Sequence, residues 1–518
     1  MFAACTSLSG CFLTDFLNEE LKAPIPTSIV APASIKLNVK ASQDKYIRPD
    51  LNVSVASNVK FTYSSDNEEV VTVDSNGKLT PHSLGSAVIT IVYDGEVHLT
   101  TTCKVNVVEE DLSDYTIMYY MCGSDLEFDP EYKDEHGIHV EGPWLFSQDI
   151  MEILSVRNIP DSVNIIIETG GATMWHLPKS YLDGADEISS KRLQRWKVEN
   201  NKLKLIETLN SNYMASESSL EDFLKWGLNN YSADQMGVVF SGHGGGIAGC
   251  CYDDNFTYLY GNEYFDRVLR TYEVATACKN ALDSSDRTKF TWVGYDCCNM
   301  QCADIASINA DYFEYMVASQ EVENGTGWNH DEYLPYLVND TLIEPQEFLP
   351  KICDAFVNEN HKDSESKANP CLQTLSVLDL SKMDTLTEEF NHYSYNIVNA
   401  PSSYSKAKAA FTNSYNEFAS KCYGLADFKS FLKQLDLNFS NVNSDKVVDA
   451  INDVVIYNKY CSNYRVNICG LDAFFPESVN SRYYLQVGKE DYNNNLSTKF
   501  KYWKDFCVQY GNFGWNTI

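Results

Sequence analysis

The sequence predicts a small all-β sandwich followed by an α/β domain whose mostly parallel sheet lies between helices. Three observations lead there. Short β-rich runs separated by turn residues fill residues 34 to 110. From residue 114 apolar strands alternate with amphipathic helices. The third and fourth of those strands both run into reactive side chains, so one edge of the sheet collects the chemistry.

The elements follow in order. Residues 1 to 33 read as a leader and tether, with three prolines in "APIPTSIVAPAS" favouring an extended chain. "LSGC" at 8 to 11 has two open readings: a lipobox with Cys11 as the lipidated residue, or a chance match in a leader. "SIKLNVK", "LNVSVAS", "VKFTYSS" and "EVVTVD" are short strands, and "AVITIVYDGEVHLTTT" is a hairpin turning at Asp94-Gly95. Together they make residues 34–110 an immunoglobulin-like sandwich.

Residues 111–340 form the α/β core. "YTIMYYMC" and "VNIIIET" are buried strands, and between them "GPWLFSQDIMEILSV" is a helix with Pro143 near its first position. "SSLEDFLKWGLNNY" is an amphipathic helix opened by a capping box from Ser218 to Glu221. "MGVVFS", "FTWVGYD" and "YMVAS" are the next strands, with helices around "RVLRTYEVATACKNAL" and "ADIASINA" between them. Residues 341–518 read as a C-terminal elaboration of the same domain, helical and then β-like near "LDAFFPES".

Composition excludes several functions. A net charge of -32, from 40 basic and 72 acidic residues, lacks the basic footprint that nucleic acid or an anionic membrane requires. It suits cationic ligands, among them basic peptides and calcium. The chain contains no run of 18 apolar residues that could cross a membrane as a helix. Its 16 cysteines are spread over 518 residues without a zinc-ribbon pattern, and neither Cys250 with Cys251 nor "CCNMQC" has standard tetrahedral spacing. No metal ligand set is therefore assigned.

In "VVFSGHGGG" a histidine follows a buried strand and is itself followed by glycines. Glycine lets a substrate carbonyl approach the backbone amides, so His243 stands as a base beside an oxyanion hole. An HGGG loop also occurs in lipases, but those need a GxSxG nucleophile elbow, and the chain has none. A thiol nucleophile fits better. His243 lies 55 residues before Cys298, the order and approximate spacing of caspases. His243 would take the thiol proton and pass it to the leaving amine, with the backbone N–H groups of Gly244 and Cys298 holding the oxyanion.

Five stretches carry a resemblance to a known family: "YTIMYYMCGSDLE", "LEDFLKWGLNNYSADQMGVVFSGHGGG", "FTWVGYDCCNM", "VASQEVENGTGWNHD" and "GLDAFFP". In this order they resemble the clostripain family of cysteine peptidases, within the caspase-like clan. The β-rich segment, through "VVTVDSNGKLT" and "GSAVITIVY", resembles bacterial immunoglobulin-like modules. The resemblance implies a caspase-like sheet, with His243 as catalytic histidine, Cys298 as nucleophile and Asp296 as the carboxylate that selects arginine or lysine at P1. A buried carboxylate pairs with a guanidinium or ammonium and leaves an uncharged side chain unable to satisfy it.

Two positions depart from the family pattern. Cys297 stands where the family has alanine, so two thiols adjoin. "CGSD" replaces an asparagine- and aspartate-rich turn, which leaves the role of Asp125 open. The resemblance further implies that "EVENGTGWNHD" borders the substrate cleft, that calcium could be required, and that maturation cuts could follow Arg267, Arg270, Lys279, Arg287 or Lys289. Partners would be protein or peptide substrates with a basic P1, and the setting extracytoplasmic, at the bacterial surface or secreted. The competing reading is a catalytically silent adhesion protein on the same scaffold.

Overall fold

A computed structural model describes residues 26–31, 34–39, 45–47, 49–51, 60–95, 97–108, 113–129, 132–133, 142–253, 268–285, 287–358, 373–414, 424–462, 467–476, 489–495 and 499–510. Cys11, Arg267 and most of "LNVSVAS" lie outside them. The chain divides into two compact units: Met1–Asp111 with Asn339–Thr341, and Leu112–Val338 with Leu342–Ile518.

The first unit is all β. Its strands are β1 (Ile29–Val30), β2 (Ser34–Asn38), β3 (Lys45–Tyr46), β4 (Asp50–Leu51), β5 (Phe61–Ser65), β6 (Val71–Val73), β7 (Lys78–Pro81), β8 (Gly85–Asp94) and β9 (His98–Val108). They form sheets in the orders β2-β9-β8-β5, β3-β7-β6 and β1-β4. In β8 residues alternate between core and solvent, so Ala87, Ile89 and Ile91 join Leu37, Val71 and Val105 in one small core. The β8–β9 hairpin pairs Asp94 with His98, around the turn expected there.

The second unit is built on ten strands. They are β10 (Ser113–Cys122), β11 (Val163–Gly170), β12 (Leu182–Asp183), β13 (Gln194–Glu199), β14 (Lys202–Thr208), β15 (Ala233–Ser241), β16 (Phe290–Asp296), β17 (Phe313–Ala318), β18 (Thr374–Asp379) and β20 (Val455–Tyr460). A separate pair joins β19 (Leu425–Asp427) to β21 (Asp472–Phe474). The order is β12-β14-β13-β11-β10-β15-β16-β17-β18-β20, with β11, β10, β15, β16 and β17 parallel. Helices cover both faces. In β10, Met118, Tyr120 and Cys122 enter one core while Ile117, Tyr119 and Met121 enter the other, so the strand is apolar throughout.

The helices used below are α1 (Ser124–Glu127), α2 (Leu145–Ser155), α3 (Glu217–Asn230), α4 (Thr271–Leu282), α5 (Ala303–Asn309) and α6 (His330–Asn339). None among the described residues is long and apolar enough to cross a membrane. Two local expectations are corrected. Helix α2 starts at Leu145, and Pro143 precedes it, because Trp144 takes a left-handed φ of 61° at the N-cap. Helix α3 starts at Glu217 without the capping box. Ser218 Oγ bonds Ser216 Oγ at 2.8 Å, and Glu221 binds Lys225 and Asn280 instead of turning back to the backbone.

Candidate active site

The parallel strands β10, β15 and β16 bring their carboxyl ends to one edge, in register through Met121 with Ser241 and Ser241 with Asp296. Each then releases a short segment. After β10 comes the single turn α1, after β15 the loop with His243, and after β16 the pair Cys297 and Cys298. Residues distant in sequence meet because adjacent parallel strands end together.

Asp125, whose role the sequence left open, lies on α1, and its Oδ1 is 2.5 Å from His243 Nε2. The pair is open to water, with side-chain exposures of 38% for His243 and 56% for Asp125. Burial of part of the carboxyl raises the Asp125 pKa, but the His243 contact outweighs it and holds the group below the usual carboxylate range. The turn that carries Asp125 is anchored by a residue sequence reading missed. Buried Glu127 accepts hydrogen bonds from Ser147 N (2.9 Å), Ser147 Oγ (2.7 Å) and His176 N (2.8 Å), which ties α1 to α2.

The glycines after His243 let two backbones touch. A Cβ on Gly244 would fall onto the Cys298 carbonyl oxygen and lie 2.7 Å from the Cys298 nitrogen, so only glycine permits this approach. The loop is closed by Cys251 N donating to His243 O (2.9 Å) and Gly245 N donating to Gly249 O (2.9 Å). Gly246 uses its freedom directly, at φ 60°.

The adjacent thiols point different ways. Cys297 is buried and donates to the Phe240 carbonyl at 3.4 Å, inside the core. Cys298 is partly exposed, and its Sγ accepts the Glu323 N–H at 3.2 Å. Burial raises the Cys298 pKa and that N–H lowers it, with burial prevailing. A thiol held in its protonated form needs a base to become a nucleophile.

Asp296, at the end of β16, is buried. Its Oδ2 lies 3.5 Å from Trp328 N and 4.0 Å from His330 Nε2. Burial pushes its carboxyl up to about 7, against the opposing effects of Glu323 and the Trp328 N–H. Residues 319–323 run beside 299–301, through Gln301 N to Ser319 O (2.9 Å) and Asn299 N to Glu321 O (3.0 Å). Gly327 then packs closely over the Asp296 carboxylate, where a Cβ would be 3.2 Å from both oxygens. "EVENGTGWNHD" thus wraps Cys298 and Asp296. Asp149, which with His330 completes the surroundings of Asp296, carried no sequence signal because it sits on an ordinary amphipathic helix, whereas His330 lies within the cleft-bordering stretch.

Of the five basic positions offered as cleavage sites, the four among the described residues are tied into structure. Arg270 precedes α4 and binds Asp491 at 2.7 Å, Lys279 lies within α4, Arg287 bonds the Ala233 carbonyl, and Lys289 bonds Ala310 O at 2.6 Å. Cutting at any of them would first require local unfolding.

Comparison with known proteins agrees with this architecture. A sequence profile described as the clostripain family matches residues 145–512, and one described as bacterial Ig-like domain (group 2) matches residues 27–105. A secreted C11 cysteine protease from Bacteroides thetaiotaomicron superposes with a TM-score of 0.50 at 15% identity, covering 70% of this chain and 94% of that one. A secreted C11 cysteine protease from the same organism, in complex with an irreversible peptide inhibitor, gives 0.51 at 13% identity, covering 76% and 99%. At such identities these likenesses speak for the fold alone. No curated protein matches the sequence.

Proposed function

Because the chain belongs to the clostripain family, it is a cysteine peptidase, and we propose that it is an endopeptidase cleaving after arginine or lysine through Cys298 and His243. The observation that carries this reading is the packing of the His243 loop, at Gly244, directly on the backbone of Cys298.

In this mechanism His243 Nε2–H is bound to Asp125, which leaves Nδ1 to receive the Cys298 proton. The thiolate attacks the scissile carbonyl carbon and the oxygen takes the charge, held by the N–H groups of Gly244 and Cys298. As the C–N bond breaks, the imidazolium returns the proton to the leaving amine. Water, deprotonated by His243, then hydrolyses the thioester and releases the acid and the thiol. No step calls for a metal, and any effect of calcium would act on the fold or the cleft. Asp125 serves as a positioning residue. Asp296 lies two residues before the nucleophile, its buried carboxylate packed against Gly327, and is the carboxylate that would pair with a P1 cation. An extracytoplasmic setting is supported by the Ig-like module and by relatives described as secreted, and Cys11 would supply a lipid anchor.

The test is hydrolysis of matched fluorogenic peptides with Arg, Lys, Asp or Leu at P1, by wild type and Cys298→Ala, with and without calcium. Cleavage confined to the basic peptides and abolished by the substitution is expected. Equal cleavage of the leucine peptide would sink the P1 assignment, and silence towards all four, both in the intact chain and in one cut after a candidate basic residue, would favour the adhesion protein.

A further inference from the structure

Beneath the reactive centre lies a second group of side chains, of which the peptidase reading uses only Asp296. Asp149 projects from α2, Asp296 from the end of β16, and His330 from the first position of α6. One oxygen or nitrogen from each lies within 4.8 Å of the others, and all three residues are buried. His330 is 0% and Asp149 4% exposed.

Their hydrogen bonding is incomplete. His330 Nε2 and Asp149 Oδ1 are enclosed without any hydrogen-bond partner. His330 Nε2 stands 4.0 Å from Asp296 Oδ2, too far for a hydrogen bond. Among the described residues neither aspartate is paired with a lysine or arginine. Two buried carboxyls with no cation beside them either keep their protons or share a positive partner, and a single divalent ion would displace both protons.

The outer atoms favour a metal ion. His330 Nδ1 lies 2.6 Å from Tyr333 Oη, which in turn lies 2.8 Å from Tyr119 Oη. If Nδ1–H donates to Tyr333, the Nε2 lone pair faces the carboxylates, which is how metal-binding histidines are held. Two ligands each about 2.1 Å from one ion stand at most roughly 4.2 Å apart, so small side-chain rotations bring the three atoms into range. One imidazole nitrogen and two carboxylates, without a thiolate, suit a first-row divalent ion of the zinc or manganese class.

We propose that Asp149, Asp296 and His330 form a buried binding site for one such divalent cation. Bound there, the ion would link α2, β16 and α6 under the cleft. It would also occupy the carboxylate assigned above to a P1 cation, so metal and basic substrate would exclude one another. That corollary rests on the P1 reading; the metal site itself does not.

The experiment uses full-length Cys298→Ala protein, stripped with chelator, so that the reactive thiol takes no part. Mn²⁺, which has little affinity for thiols, is titrated in and followed by electron paramagnetic resonance. One equivalent should bind, with the hyperfine signature of a coordinated imidazole nitrogen, and Asp149→Asn and His330→Gln should each weaken it at least tenfold. Absence of stoichiometric binding overturns the proposal without recourse to any variant. So does binding that lacks a nitrogen ligand, or that both folded variants retain at full strength. In the wild-type enzyme Mn²⁺ should raise KM for an arginine peptide and leave kcat unchanged; binding without that competition would keep the cation site and retire Asp296 as the P1 residue.

Discussion

The molecule holds two histidine–aspartate pairs at the same end of its sheet, and they differ in almost everything but composition. His243 and Asp125 touch at 2.5 Å in water. His330 and Asp296 stand 4.0 Å apart in the interior. In the exposed pair the two side chains bond each other and both stay open to solvent. In the buried pair, burial alone pushes the His330 pKa down to about 3, so the ring is a neutral acceptor. Access to water, more than residue type, separates the two pairs.

The largest expected contrast comes from removing each histidine. His243→Ala should lower kcat by roughly 10²- to 10⁴-fold with little change in thermal stability. His330→Ala should mainly destabilise, by about 1–3 kcal/mol in urea unfolding, because it leaves a cavity and removes one of the two hydrogen bonds of the buried Tyr333 hydroxyl. The comparison breaks if these effects are exchanged. Next, Gly244→Ala should cost roughly a hundredfold in kcat/KM through displacement of the His243 loop from Cys298, while near-ultraviolet circular dichroism stays native.

A third buried acid sharpens what enclosure does to a carboxyl. Asp304 receives the Tyr492 hydroxyl at 2.9 Å, yet burial pushes it up to about 6 despite that bond and the Cys302 thiol. Its folded pKa exceeds the unfolded one, so stability is fully present at acid pH and falls as pH rises from about 4 through 6. Asp304→Asn should remove that fall and add between about 2 and 3 kcal/mol at pH 8, read from urea midpoints across pH. An unchanged slope would mean that the carboxylate is better solvated than its enclosure implies.

The smallest effect belongs to the exposed pair. Asp125→Asn should lower kcat about threefold to tenfold, less in 1 M salt, since water and ions screen an exposed contact. The Asp125 pKa is lowered by His243, so its carboxylate is present above about pH 4 and is lost only as pH falls through the folded value. Titration of Asp125 itself should therefore contribute nothing to the wild-type pH–rate profile between 5 and 9. A loss beyond a hundredfold would make Asp125 indispensable and not merely orienting.

Much of the fold was readable because strands buried on both faces leave long apolar runs, as in "YTIMYYMC" and "MGVVFS". The antiparallel additions β13, β14, β18 and β20 were not, since each mixes polar with apolar residues and so carries no such run, whether mostly buried, as β13 and β18 are, or partly exposed, as β14 and β20 are. Helix starts misled where side chains found other partners, as Ser218 and Glu221 did. In the site, His243, Gly244, Cys298 and Asp296 sit in compact motifs at strand ends. Asp149 reaches Asp296 from 147 positions away with nothing local to mark it.

The sequence by itself determined the alternation of strands and helices, the stretches of reactive residues at strand ends, and the absence of a basic surface, because periodicity, glycine freedom and charge are local or additive properties. Tertiary structure decided which thiol turns inward, which carboxylate meets His243, and which polar atoms are shut away together. Those outcomes depend on distances between distant segments and on the exclusion of water, and neither is written in any one stretch of chain.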